Sequence, residues 1–122
     1  MRSIDLALQA AALDPMLTEA LEHAAMLLVT RRRRYAEGLA HLARAVELRP
    51  ADAGLWYTLG WCSEFAAHEL RRRPADASLD PRELYERAKG AFERCLALHP
   101  EGKLEDDARD LLDHVENALA AM

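Results

Sequence analysis

Histidine, cysteine and arginine are the side chains of this 122-residue sequence whose spacing bears most directly on chemistry. No two histidines have the i, i+4 spacing that places metal ligands on one helical face. They are His23, His41, His68, His99 and His114. No serine or cysteine has the neighbours of an activated nucleophile, and no glycine-rich phosphate loop is present. We therefore expect no enzyme, no metal and no other cofactor.

The two cysteines, Cys62 and Cys95, have neither a metal-ligand spacing nor the number needed for a disulfide framework. Each occupies a position at which a helix requires a small buried side chain. We predict that both are reduced thiols in the core.

Two runs of arginine form the densest groups of like charge. They are Arg31, Arg32, Arg33 and Arg34, and Arg71, Arg72 and Arg73. Seven guanidinium groups favour recognition of phosphates or of an acidic partner. The alternative is that they are solvated helix ends that complement the helix dipole, or that they pair with the acidic last helix of a neighbouring molecule. Both interpretations are open on the sequence.

The net charge of −5 lies entirely in the last segment of the chain. Residues 1–100 carry equal numbers of acidic and basic side chains, whereas residues 101–122 carry seven acidic side chains against Lys103 and Arg109. A nucleic-acid-binding domain normally has a net basic surface. We therefore do not expect nucleic acid as a partner.

Composition predicts one helical domain. Ala, Leu, Glu and Arg dominate, and five glycines and five prolines interrupt the chain. No segment has the ~20 consecutive apolar residues of a membrane span. Asp5 interrupts the apolar residues near the N-terminus, which argues against a signal peptide. We expect a cytoplasmic protein that does not enter a membrane.

An internal repeat organises the sequence. Residues 35–50 (YAEGLAHLARAVELRP) align without gaps with residues 85–100 (YERAKGAFERCLALHP). Both segments carry an aromatic, a small, a large apolar, a small, a Leu and a Pro residue at the same intervals. A shorter copy opens the chain and consists of Ser3, Ala7, Ala10, Leu13 and Pro15. Each copy has a helical apolar period and stops at a proline, which cannot continue the backbone hydrogen bonding.

Partner helices are predicted between these copies. After Pro15, one helical face collects Leu21, Ala24, Ala25 and Leu28. After Pro50 the sequence reads Trp56-x-x-Leu59-Gly60-x-x-Ser63. The order of these positions resembles the signature of the tetratricopeptide repeat (TPR) family. That order is Trp, then Leu-Gly, then a small residue, an aromatic residue, a small residue and Pro.

The resemblance implies an all-α fold, a right-handed α-solenoid of antiparallel helix pairs with about two and a half repeats and a C-terminal capping helix. One TPR-like domain would cover residues 1–122, with pairs at about 16–50 and 53–100 and the capping helix at about 104–121. Small residues would allow close helix contact and large ones would fill the gaps between pairs. The small set is Ala25, Ala45, Gly60 and Cys95, and the large set is Leu42, Trp56, Leu59 and Phe92.

Three departures from the family pattern are present. The spacing from Pro15 to Pro50 is 35 residues, one more than the period of about 34, and the Arg31–Arg34 turn is the expected place for the extra residue. The first partner helix has Leu21 where Trp is usual. About sixteen residues are inserted in the last repeat. The insertion lies at about residues 66–79. We predict that its residues 66–73 continue the preceding helix and that Asp80-Pro81 starts the next helix.

In TPR proteins the first helix of each pair lines a concave groove that holds partners. The resemblance assigns the following residues to that groove: Glu19, Glu22, His23, Met26 and Val29 from one helix, and Tyr57, Thr58, Trp61 and Phe65 from the next. Tyr57, Trp61 and Phe65 are spaced i, i+4, i+8 and would form an aromatic strip that docks a peptide. The alternative is that the C-terminal helices or the insertion cover the strip. Both arginine runs would lie along one edge of the solenoid.

The sequence therefore predicts a protein-interaction module or adaptor that binds a peptide or another protein. Two alternatives are a small TPR-type chaperone of a secretion system and a scaffold that self-assembles through the opening half repeat, which lacks its partner helix. Nucleic-acid binding through the arginine rim is a third and less favoured alternative. A carboxylate clamp is not expected, because the chain has one Asn and two Lys and none lies on a groove helix.

Overall fold

The computed structural model describes residues 15–74 and 78–122. Within them the chain forms helices and no strands, which confirms the all-α prediction. The helices are α1 (Pro15–Thr30), α2 (Tyr35–Leu48), α3 (Ala53–Arg72), α4 (Pro81–Ala97) and α5 (Lys103–Ala120). The opening half repeat, and with it the predicted self-assembly surface, lies outside the described residues, as do residues 75–77 of the insertion.

Aspartate caps fix the starts of the two central helices. Asp52 accepts a hydrogen bond from the Leu55 backbone N–H at 3.1 Å, and Asp80 accepts one from the Arg82 N–H at 3.1 Å. Pro81 follows Asp80 at the first helical position, as predicted. Each such cap stabilises its helix by ~1 kcal/mol.

The inserted residues largely extend existing helices. Helix α3 continues through residue 72, and the Arg73 N–H closes it on the Glu69 carbonyl at 2.8 Å. Helix α4 begins four residues before Tyr85, whereas α2 begins at the equivalent Tyr35. The prediction that the first half of the insertion is helical is confirmed.

Each helix packs against the next one in the chain. Further contacts join α1 to α3 and α3 to α5, whereas α2 and α4, both within the described ranges, do not contact each other. Helix α3 is therefore central, because it packs against all four others.

The two aligned segments occupy equivalent places in the core. Tyr35 of α2 and the equivalent Tyr85 of α4 are both buried. Before the last turn of each helix, the other signature positions of the two segments are buried in pairs as well. These pairs are Gly38 with Ala88, Leu42 with Phe92, and Ala45 with Cys95. The repeat therefore corresponds to a repeated pattern of burial on α2 and α4.

Close helix contact depends on two glycines. A Cβ atom on Gly60 would lie 2.7–3.0 Å from the Phe92 ring, and one on Gly38 would lie 2.6 Å from Val29 Cγ2. Both distances are below van der Waals contact. The prediction that Gly60 is a close-contact position is confirmed.

The large filling residues differ in burial. Leu42 and Phe92 are fully buried, but Leu59 and Trp56 are half-buried and join the main core to a smaller cluster around Leu55. The Trp56 indole N–H donates to the Pro50 carbonyl at 2.8 Å, and the Arg94 guanidinium lies 5.4 Å from the ring centre. The prediction that Trp56 belongs to the core holds in part, since a charged side chain covers the ring.

The capping helix is amphipathic, as predicted. Ala108 and Val115 are buried and Leu111, Leu112 and Leu119 are half-buried against the core. The opposite face is exposed and carries Asp106, Asp110, Asp113 and Glu116.

Replacing Gly60 with Ala should destabilise the protein by about 1–3 kcal/mol, because the added methyl overlaps the buried Phe92 ring. Gly90 is the matched control, since it is also inside a helix and a Cβ there meets nothing within 4 Å. Gly90→Ala should stabilise by ~0.5–1 kcal/mol through helix propensity. Urea denaturation of both variants measures the difference, and equal effects of the two changes would contradict the close contact.

Both thiols should resist labelling in the folded protein. Cys62 and Cys95 are free and fully buried, and burial, with Glu22 adding to it, raises the pKa of Cys62 to about 12. A thiol-specific disulfide reagent at pH 8 should react slowly in buffer and rapidly with two thiols in denaturant. Fast labelling of either cysteine under conditions in which circular dichroism shows the native helices would contradict this prediction.

Candidate functional site

One face of α3 lines a cleft against α5. Trp61, Glu64, Phe65 and His68 follow i, i+3, i+4, i+7 spacing and therefore share one side of the helix. Together with His114 of α5 they line a cleft of about 340 Å³. We call this the α3–α5 cleft.

The predicted aromatic strip divides into two parts. The rings of Trp61 and Phe65 stack, with centroids 5.7 Å apart and an interplanar angle of 18°. The Tyr57 ring instead packs against Phe92, with centroids 5.9 Å apart. All three aromatic residues of the strip are half-buried and contact the core. The structure thus lies between the two alternatives, because Trp61 and Phe65 both support the core and line an open cleft.

Glu64 lies beside the stacked rings with its hydrogen bonding incomplete. Its Oε1 lies 3.3 Å from His114 Nε2, and its side chain is 15% exposed. Its Oε2 is buried and has no hydrogen-bond partner among the described residues. Burial raises the pKa of the Glu64 carboxyl above its ordinary value of 4.5, while His114 and His68 act in the opposite direction. A buried oxygen without a donor is uncommon in a folded protein and favours a site that a ligand completes.

The predicted groove residues of α1 have different environments. Glu22 is half-buried and accepts a hydrogen bond from the Thr58 hydroxyl, and burial raises the pKa of its carboxyl. Glu19 and His23 are exposed, and Met26 is half-buried against the core.

Two groove assignments need correction. Val29 is fully buried and meets Gly38, so the expectation that it faces a groove is wrong. Thr58 is also buried, at 7% exposed. Its hydroxyl is engaged by Glu22, so it positions that carboxylate and is not available on the surface.

Three cleft residues were not identified from the sequence, namely Glu64, His68 and His114. The first two lie at helical spacing from Trp61 and could have been found by extending the face by two positions. His114 lies on α5, and its approach to Glu64 depends on how that helix packs.

A second cleft, of about 370 Å³, combines members of both arginine runs. Arg33, Arg34 and Arg73 line it together with Glu37 and Glu69. Arg34 pairs with Glu37 at 3.6 Å, and Arg72 pairs with Glu69 at 3.6 Å. Arg33 has a φ of 56°, a left-handed conformation that costs energy for a residue with a side chain.

The other arginines of the two runs are not part of that cleft. The Arg71 guanidinium lies 6.0 Å from the centre of the Tyr85 ring. Arg31 and Arg32 are exposed, as are the remaining five. The structure therefore places three of the seven predicted rim residues together.

Two further features are absent from the described ranges, residues 15–74 and 78–122. No group of three or more His, Cys, Asp or Glu side chains there is arranged to hold a metal ion. No helix in those ranges is long and apolar enough to cross a membrane. Comparison of the chain with family models, curated proteins and solved structures gave no match.

Glu64→Gln should change how stability depends on pH. A carboxyl whose pKa is raised by folding contributes stability that is present below its unfolded value of 4.5 and is lost as the pH rises through the folded value. The neutral amide does not lose this contribution. The free energy of unfolding of the variant should therefore rise relative to that of the native protein as the pH increases from 4.5, and then level off.

Urea denaturation at several pH values measures the difference in the free energy of unfolding between the variant and the native protein. The new amide can add a constant amount to this difference, but a constant amount does not alter how the difference changes with pH. Glu116→Gln is the control for removing an exposed carboxylate from the same part of the molecule. A difference between Glu64→Gln and native protein that is independent of pH would contradict the effect of burial.

Proposed function

We propose that this chain is a TPR-like protein-interaction module that holds a segment of a partner protein along the face formed by α1, α3 and α5. The α3–α5 cleft carries the proposal, because two stacked, half-buried aromatic rings line it. Glu64 lines it as well, and its buried Oε2 has no hydrogen-bond partner among the described residues. Aromatic side chains that are anchored by the core and open on one side are typical hot spots of protein interfaces.

The pattern of helix contacts supports a solenoid. In a stack of helix pairs the first helices contact one another along the inner face, while the second helices are farther apart. Contacts of α1 with α3 and of α3 with α5, and the lack of contact between α2 and α4 within the described residues, agree with that order. The equivalent burial of the aligned segments on α2 and α4 agrees with it as well.

We propose no catalytic role for the α3–α5 cleft. Glu64 and His114 have the arrangement of a base and the group that orients it. The α3–α5 cleft, however, is lined by Trp61, Glu64, Phe65, His68 and His114 and contains no hydroxyl or thiol that the pair would activate.

Phe65→Ala and Trp61→Ala should reduce capture of the partner from an extract of the cells that make this protein. Loss of a hot-spot ring costs about 2 kcal/mol or more, which corresponds to a weakening of roughly thirtyfold. Leu98→Ala is the matched control, since Leu98 is an exposed apolar residue at the end of α4, away from the cleft. Quantitative pull-down with immobilised native and variant proteins measures the effect.

Circular dichroism of each variant separates binding from folding. Undiminished capture by a folded Trp61→Ala or Phe65→Ala protein would contradict the proposal. Loss of helicity in both variants would show that the rings act mainly as core, and would contradict it too.

A further inference from the structure

The face that contains the α3–α5 cleft is acidic. Neither α1 nor α3 as far as Leu70 contains a lysine or arginine. Glu19 and Glu22 lie on α1 and Glu64 on α3. Asp107 of α5 and Glu64 are both near enough to Tyr57 to raise the pKa of its phenol, after the larger effect of burial. Charge complementarity therefore favours a cationic partner here.

The geometry of the cleft restricts the type of cation. Oε2 of Glu64 is buried and has no hydrogen-bond partner among the described residues, whereas Oε1 lies 3.3 Å from His114 Nε2 in a side chain that is 15% exposed. The rings of Trp61 and Phe65, which stack on each other, line the same cleft as Glu64. A guanidinium group is planar, stacks on aromatic rings and donates several hydrogen bonds to one carboxylate, whereas an ammonium group is a compact, strongly hydrated charge.

We propose that the α3–α5 cleft binds an arginine side chain of the partner segment. The guanidinium group donates to the Glu64 carboxylate and stacks against the Trp61–Phe65 pair. This inference rests on the proposed function and adds the chemistry of the partner, a basic segment that contains arginine.

The α3–α5 cleft and the arginine-lined cleft differ in charge. Arg33, Arg34 and Arg73 would attract an acidic or phosphorylated group to their own cleft. The lining of the α3–α5 cleft contains no lysine or arginine to oppose a basic segment, since its titratable residues are Glu64, His68 and His114.

The test is a titration of ¹⁵N-labelled full-length protein followed by NMR. The probe is the blocked tripeptide acetyl-Ala-Arg-Ala-amide, and the matched control peptide carries citrulline, which has nearly the same shape without the charge. We expect saturable shifts of the Trp61 indole signal and of the amides of residues 61–68 and 114. The arginine peptide should bind about tenfold more tightly than the citrulline peptide, because a charge-assisted hydrogen bond is stronger than a neutral one.

Glu64→Gln should abolish the preference for arginine over citrulline, and Glu116→Gln should retain it. Equal binding of the two peptides, shifts confined to the exposed acidic face of α5, or no saturable shift would each overturn the inference. Equal affinity for acetyl-Ala-Lys-Ala-amide would overturn the assignment to arginine.

The capture experiment separates this inference from the proposed function. If Trp61→Ala loses the partner but Glu64→Gln binds it as well as native protein does, the interaction face stands and the arginine site is wrong. If the arginine peptide binds in the cleft and no partner depends on Trp61 or Phe65, the arginine site stands and the proposed function is wrong.

Discussion

The Phe92 ring lies directly on the backbone of Gly60, at distances that leave no room for a Cβ atom. This contact brings α3 and α4 close together and fixes which side of α3 faces the core. Cys62, Ser63, Ala66 and Ala67 are buried as a consequence. The other side of the helix, from Trp61 to His68, then lies toward α5 and forms the wall of the cleft.

Partial burial gives the cleft its chemical character. Trp61 and Phe65 contact the core through part of each ring, which reduces the entropy that a ligand would have to remove when it orders them. Glu64 is held in the same environment at a cost, since burial disfavours its charged form and one of its oxygens has no donor among the described residues. Natural proteins retain such unfavourable polar groups mostly at functional sites.

The two clefts described above also differ in their charged side chains. The α3–α5 cleft carries a carboxylate with two imidazoles, whereas Arg33, Arg34 and Arg73 line a separate cleft at the α1–α2 turn and the end of α3. Glutamates compensate part of this basic cleft, because Glu37 and Glu69 line it and Arg34 pairs with Glu37. Surface pairs of this kind contribute little to stability. The basic cleft therefore matters more for the electrostatic potential of the surface than for the fold.

The sequence by itself determined the helices and most of the core. Periodic apolar residues, aspartate caps and prolines are local signals, so the five helices of the described ranges and the burial of the repeat pairs before the last turn of α2 and α4 could be predicted. The extension of α3 through the insertion was local too, because residues 66–72 continue the helical pattern without a break. The two small residues Gly60 and Cys95 were identified by their place in the repeat.

Only the tertiary structure decided which helix faces are exposed, which are buried and which line a cleft. The helical period places four residues on one side of α3, namely Trp61, Glu64, Phe65 and His68. The distance to α5 decides whether that side is exposed to solvent, is buried in the core or lines a cleft. The turn of α5 that brings His114 to Glu64, and the rotation of α1 that buries Val29 against Gly38, depend on how side chains of different helices fit together. These are contacts between residues far apart in the chain, and no local pattern specifies them.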